Sequence, residues 1–321
     1  MLNRRDFLIN SATISAAALL APSEILKSSA LLNKIGVQFF SLPKSLDADF
    51  KGTVEMLAKI GFREVELFGP FPFSDEGARK SWDAVTGRLG FKGSGYFGHT
   101  AAEVKNIMRS NGMSIPAVHT DFITLQKNMD KLGEAAQTLG YTYAILPSIP
   151  AENRKTLDDY KKTADTFNKI GESAKKNGIK FGYHNHGYGW KEENGKRPID
   201  IIFDNTNHDT VFFEMDLFWT TAAGVNPIEL FQKHKNRYRA MHVKDGTKQV
   251  RYSGDGNDPK QWFELFPFMT SAGSGVFDLK NILPAAKANG VKHFFVEQDL
   301  VKDPEIALKA SFDYLKSLQK V

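Results

Sequence analysis

Cysteine is absent from the 321 residues of this chain. No disulfide, thiolate ligand or cysteine nucleophile is therefore available to it. Any metal has to be held by His, Asp and Glu, a set suited to Mn, Co, Zn or Mg rather than to an iron–sulfur cluster. Blocks of like charge are lacking too. The net charge is +5, yet Lys and Arg are interleaved with Asp and Glu along the whole chain. Such a pattern reads as a solvated surface, with attraction of an anionic substrate as a second reading. A nucleic-acid partner would call for a concentrated basic face, and none is expected. Long hydrophobic runs are missing as well. The apolar stretch near the N-terminus, Ile9 to Pro22, is too short and too weakly apolar to span a membrane. No GxGxxG follows the first predicted strand and no GxxxxGK[ST] occurs anywhere, so dinucleotide and P-loop folds have no anchor.

What is present is ordinary for a soluble globular protein: 41% hydrophobic and 25% charged residues. The 25 Phe residues read first as core filling, and second as aromatic faces for a sugar. The N-terminus carries Arg4-Arg5, then Phe7-Leu8, then an Ala- and Ser-rich apolar run. This is a charged region, an apolar region and small residues in order, and it resembles a twin-arginine export signal. Residues 1–30 are accordingly expected to be a leader, with residues 31–321 a single domain and the protein periplasmic or otherwise exported.

Beyond the leader, short apolar runs alternate with amphipathic stretches, the pattern of parallel strands joined by helices. Strands are expected at 34–40, 64–68, 115–118, 143–146, 180–183, 211–215, 239–241 and 293–296. Eight strands and eight crossovers predict a (β/α)8 TIM barrel, which needs roughly 250 residues. Thr100 with Glu103 forms a capping box that starts one helix, and Asn111-Gly112 ends it. The Gly- and aromatic-rich stretch 69–98 reads as an irregular insertion with a short helix. Both capping the barrel mouth and joining two copies in a homo-oligomer stay open for it.

The informative pattern is where ionisable residues fall. Four consecutive strands end in a metal-ligand type: His184, Asp216, His242 and Glu297. Strand C-termini of this fold all face one mouth, so four residues distant in sequence converge there. Two imidazoles and two carboxylates make a mixed N/O site for one divalent ion, with coordination positions left for substrate oxygens.

These strand ends also resemble the sugar phosphate isomerase/epimerase family, the xylose isomerase-like barrels. The resemblance runs from about residue 34 onward. It rests on Gly36-Val37-Gln38, Glu64 to Phe68, Tyr183-His184-Asn185-His186, Met215 to Trp219, Met241 to Asp245, Gly273 to Asp278, and Val296 to Asp299. It implies that the family's metal positions are His184, Asp216, His242 and Glu297, and that the substrate is a small carbohydrate. Two departures stand out. Epimerases of the family carry Glu where this chain has His184, whereas the inosose dehydratase branch carries His. Trp219 replaces a substrate-binding His of the epimerases. The expected activity is isomerisation or epimerisation of a keto- or aldo-sugar through an enediolate. Elimination from a keto-sugar or keto-glycoside is the alternative. Glu297 is the first candidate base, with His186 or His119 as others, and Lys244 is expected to bind an oxyanion or form a rim ion pair. Glu66, His119, Trp190 and Trp219 are expected at the substrate, with a supporting hydrogen bond to a ligand His as the other reading for Glu66 and core packing for the tryptophans.

Overall fold

The computed structural model describes residues 31–320, apart from Asn33, Asn194 and the side chains of Arg88 and Lys320. The expected leader lies outside the described residues. The described residues fall within one compact unit, Leu31–Val321.

Eight parallel strands close into a barrel: β1 (Gly36–Gln38), β2 (Glu64–Phe68), β3 (Ser114–His119), β4 (Tyr143–Leu146), β5 (Lys180–His184), β6 (Val211–Asp216), β7 (Tyr238–Val243) and β8 (His293–Val296). Each pairs with its sequence neighbours, and β8 closes on β1 through Gly36 opposite Phe295. The close approach of that ring is why Gly36 has no side chain: a Cβ there would lie 2.6 Å from the Phe295 ring. The strands are buried on both faces, as expected where helices cover the sheet, and so they read as continuous apolar runs rather than as alternation.

Around the barrel lie α1 (Pro43–Ala48), α2 (Phe50–Ile60), α3 (Glu76–Leu89), α4 (Ala101–Ser110), α5 (Phe122–Lys127), α6 (Met129–Leu139), α7 (Leu157–Lys176), α8 (Pro198–Asn205), α9 (Leu217–Ala222), α10 (Pro227–Lys233), α11 (Pro259–Phe263), α12 (Leu279–Ala288) and α13 (Pro304–Ser317). The capping box of α4 is present in full, with Thr100 and Glu103 bonding each other's backbone N–H. Among the described residues, no helix is long and apolar enough to cross a membrane.

Three local expectations need correction. β1 stops at Gln38, because the Gln38 side chain accepts from Phe40 N and the chain tightens into a 3₁₀ turn. The segment 69–98 holds a helix of 14 residues, α3, started by the Asp75 side chain and ended by Gly90 at φ 76°. Its weak apolar stripe and its internal Gly77 and Gly87 hid it. The short helices α1, α5, α9 and α11 were also missed, since five or six residues are too few to show a period.

Inside the barrel, alternate residues of each strand stack in layers. The lower layer is apolar: Ala117, Tyr143, Ile145, Phe212, Ala240 and Phe295 pack together. Two residues further along β6, β7 and β8, the same inward face carries Glu214, His242 and Glu297. The core thus ends abruptly, and a buried polar floor begins.

Candidate metal centre and active-site cavity

Each strand end sets one group. Asp216 closes β6 and caps α9, its Oδ1 accepting from Trp219 N at 2.9 Å. The helix start thereby fixes the carboxylate and turns Oδ2 into the barrel mouth. There Oδ2 lies 3.8 Å from His242 Nδ1 and 3.6 Å from His184 Nε2. Glu297 Oε2 is 2.6 Å from His242 Nδ1. Ligand atoms of Asp216, His242 and Glu297 all lie within 4.8 Å of one another. His184 adjoins that group through Asp216.

The far nitrogens of the two imidazoles are held from behind. His184 Nδ1 bonds Glu214 Oε2 at 3.0 Å, and His242 Nε2 bonds Glu66 Oε2 at 2.7 Å. Glu66 also accepts from Gln38 Nε2 at 2.6 Å. A carboxylate behind each imidazole fixes which nitrogen faces the centre, the arrangement metal-binding histidines favour. His119 joins the same layer, its Nε2 2.7 Å from Glu214 Oε2 and 3.3 Å from Glu66 Oε2. His119, His184, Glu214 and His242 form a second close group below the first.

Lys244 completes the upper layer. Its Nζ is 2.9 Å from Asp216 Oδ2, 2.7 Å from Glu297 Oε2 and 2.5 Å from Asp299 Oδ2. The ammonium is 2% exposed, so three carboxylates share one buried cation. This is an inward-facing ion-pair site at the wall of the cavity.

The electrostatics follow from that crowding. Burial works against charge on His242, but Glu214 and Glu297 outweigh it and hold the imidazolium well above the usual range. His119 is raised in the same way, Glu66 and Glu214 prevailing over burial. His184 falls to about 4, through burial and then the charge on His242. His186 is also pushed well below its usual value, by burial and then by His184 and Lys244. Burial would raise Glu297, yet Lys244 and His242 hold it well below the carboxylate range. Glu214 is likewise low, against burial, because of His242 and His119. Burial and then the Glu214 charge raise Glu66. Asp299 rises to about 7, chiefly by burial, with Glu297 and Asp216 adding to it.

Whether a divalent ion fits can be read from the donors themselves. Asp216 Oδ2 and His242 Nδ1 are buried and carry no well-directed hydrogen bond, although carboxylate, imidazole and ammonium crowd round them. Buried polar atoms without partners are unusual and call for a reason. A dication among Asp216 Oδ2, His242 Nδ1, Glu297 Oε2 and His184 Nε2 supplies one, because it takes over the neutralising role that Lys244 and the imidazolium otherwise hold.

The centre opens into a cavity of about 500 Å³. His119, His184, His186, Trp219, His242, Lys244, Glu297 and Asp299 reach it. His186 stacks on Trp262 with ring centres 4.6 Å apart. Trp219 lies over Lys244, 5.3 Å from Nζ. Two expected substrate contacts do not line the cavity. Glu66 is wholly buried and bonds His242 from below. Trp190 is 5% exposed and donates Nε1–H to His186 O at 3.1 Å, pinning the loop from behind. Two residues escaped sequence reasoning, Glu214 and Asp299. Their signal was present: each lies two positions from an expected ligand, Asp216 or Glu297, and so shares its face if the strand period is kept.

Comparisons with known proteins agree with this architecture. Residues 54–318 match the family described as Xylose isomerase-like TIM barrel. A sugar phosphate isomerase/epimerase from Parabacteroides distasonis superposes with TM-score 0.69 at 24% identity, covering 92% of this chain and 98% of that one. The IOLI protein, solved with a binding zinc atom, gives TM-score 0.61 at 16% identity, covering 89% of this chain and 98% of that one. An inosose dehydratase from Geobacillus thermodenitrificans is 29% identical over 166 residues, 48% of this chain. The chain spans about half the length of such relatives, 53% in this case.

Proposed function

Because the chain belongs to the xylose isomerase-like TIM barrel family, we propose that it is a divalent-metal-dependent enzyme that isomerises or epimerises a keto- or aldo-sugar through an enediolate. One observation carries this reading: Asp216 Oδ2, His242 Nδ1 and Glu297 Oε2 meet at the barrel mouth, with both imidazoles backed by carboxylates. Asp216, His242 and Glu297 would hold the ion with His184 beside them, and Mn, Co, Zn and Mg all suit such donors. The ion supplies polarisation of the substrate carbonyl and stabilisation of the charge that develops on it.

The chain's own residues do the rest. Glu297, ionised and at the cavity wall, accepts the proton alpha to the carbonyl. Lys244 contacts Asp216, Glu297 and Asp299 and orients them. His186, neutral and stacked on Trp262, presents a proton-transfer group on the cavity wall. Return of the proton to the neighbouring carbon, with the hydroxyl proton passing to the former carbonyl oxygen, completes isomerisation.

A second reading has its own support. Of the three acidic residues lining the cavity, Glu297 and Asp299 belong to one strand end and Asp121 caps α5, while His184 stands where an epimerase would place a second carboxylate. Elimination needs only one base. The alpha proton goes to Glu297, the electron pair forms the double bond, and the beta oxygen departs with that proton as Glu297 returns it. The inosose dehydratase relatives favour this outcome. Incubating the metal-loaded protein with D-fructose, D-psicose and a 3-keto-glucoside in deuterated water separates the two. A deuterated ketose supports isomerisation, and an unsaturated product supports elimination. Absence of both exchange and turnover sinks the enolisation itself.

We further propose, from residues 1–30 alone, that the protein is exported to the periplasm. Replacing Arg4-Arg5 by two lysines is expected to retain it in the cytoplasmic fraction, and unchanged fractionation would refute export by that route.

A further inference from the structure

Five large apolar side chains stand exposed among the described residues, and three of them, Val85, Ile123 and Phe263, border one cavity. They are 47%, 38% and 54% exposed, and they come from three separate elements, α3, α5 and α11. Deeper in, Phe40 and Phe68 cross edge to face at 5.4 Å, and Trp82 stands 5.8 Å from Phe68. A wall of six apolar side chains therefore faces the same space as Lys244 and Glu297.

The cavity is divided by chemistry. Its floor holds the imidazoles, the ammonium and the carboxylates. Its outer wall is aromatic and aliphatic. A sugar carries hydroxyls all round its ring and needs donors and acceptors on every side. The outer wall offers few, from Ser81, Asp121 and Trp82 Nε1, so a second sugar is badly matched to it. The space is also too large for one sugar. A liquid water takes about 30 Å³, so the 500 Å³ cavity holds more than a dozen waters, whereas a hexose packs its twelve heavy atoms more tightly.

We propose that this wall is a subsite for a flat apolar group attached to the carbonyl sugar, so that the substrate is a keto-glycoside bearing an aromatic or similarly apolar aglycone. This rests on the proposed sugar chemistry at the metal layer and names the substrate class for it. The wall explains why α3 exists where the barrel needs no helix: it brings Trp82 and Val85 over the mouth. It also explains apolar side chains left in contact with water, which soluble proteins limit unless a ligand covers them.

Three probes test the subsite by calorimetry on the metal-loaded protein: a methyl 3-keto-glucoside, the phenyl 3-keto-glucoside, and phenol alone. The phenyl compound is expected to bind at least about tenfold more tightly than the methyl compound, since a buried ring removes on the order of 100 Å² from water. In Val85→Asp and in Phe263→Ser, both at exposed positions, that ratio is expected to fall towards one. Equal affinity for the two glycosides in the unaltered protein overturns the subsite and leaves the sugar chemistry standing. Phenol binding that Val85→Asp abolishes, with neither glycoside bound better than phenol, supports the apolar subsite and overturns the sugar reading. No binding of any probe overturns both.

Discussion

Phe212 and Asp216 sit four residues apart on one strand and face the same interior, yet they belong to opposite kinds of core. Around Phe212 the barrel is filled with apolar side chains whose only demand is close packing. Around Asp216 it is filled with imidazoles, carboxylates and one ammonium, each buried and each dependent on a neighbour. The same inward alternation builds both layers. The lower one stabilises by removing area from water, roughly 25 cal/mol per Å². The upper one offers little net stabilisation, since charges buried from water repay their desolvation only when well paired. A fold that concentrates so many ionisable groups at one end does so for chemistry.

The comparison can be broken at its polar end first. His242→Ala removes the ligand shared by both close groups, and the variant is expected to lose stoichiometric metal together with deuterium exchange. Elemental analysis after dialysis checks this, and retention of metal would refute the assigned centre. Next comes the apolar end. Phe212→Ala should cost about 3–5 kcal/mol by denaturant unfolding, the range for deleting a buried ring. Its metal content is expected to stay intact while the chain is folded. If metal and stability fall together, the two layers are not separable in the way described.

A smaller effect sharpens the polar layer itself. Glu214→Gln keeps the shape but removes the charge that holds His119 and His184. Metal affinity is expected to weaken about 10–100-fold, the usual cost of losing a carboxylate behind a ligand. Unchanged affinity in a metal titration would show that Glu214 does not orient His184. The smallest effect lies outside the barrel. His234 stacks on Phe203 with ring centres 3.9 Å apart, and burial lowers its pKa from 6.5 to about 4. The unfolded chain therefore binds a proton that the folded one refuses. Stability from this residue is present above about pH 6.5 and declines as pH falls towards 4. His234→Phe keeps the stack, and its melting temperature should fall less between pH 7 and pH 4.5 than that of the unaltered protein. An identical drop would assign the acid sensitivity elsewhere.

Much of this was legible in the chain. The eight strands appear as separate, mostly apolar runs at the right spacing, since burial on both faces leaves few polar residues in them, Glu66 and Glu214 being exceptions. The ligand types at 184, 216, 242 and 297 stood out because apolar strands do not ordinarily end that way. Glu66 and Trp190 were less legible. A glutamate in β2 and a tryptophan after β5 look alike whether they touch substrate or support what does.

Sequence by itself thus determined the barrel, the mouth at which the chemistry gathers and the donors found there. Strand order, period two and the direction of parallel strands suffice for that, because each is a local property summed along the chain. Only the tertiary structure decided which carboxylate stands behind which imidazole, that Asp299 and Lys244 close the upper layer, and that Val85, Ile123 and Phe263 line one wall. Those facts depend on the stagger of the closed barrel and on where α3, α5 and α11 come to rest. Contacts between residues 176 or more positions apart, such as Glu66 with His242, leave no mark on local sequence pattern.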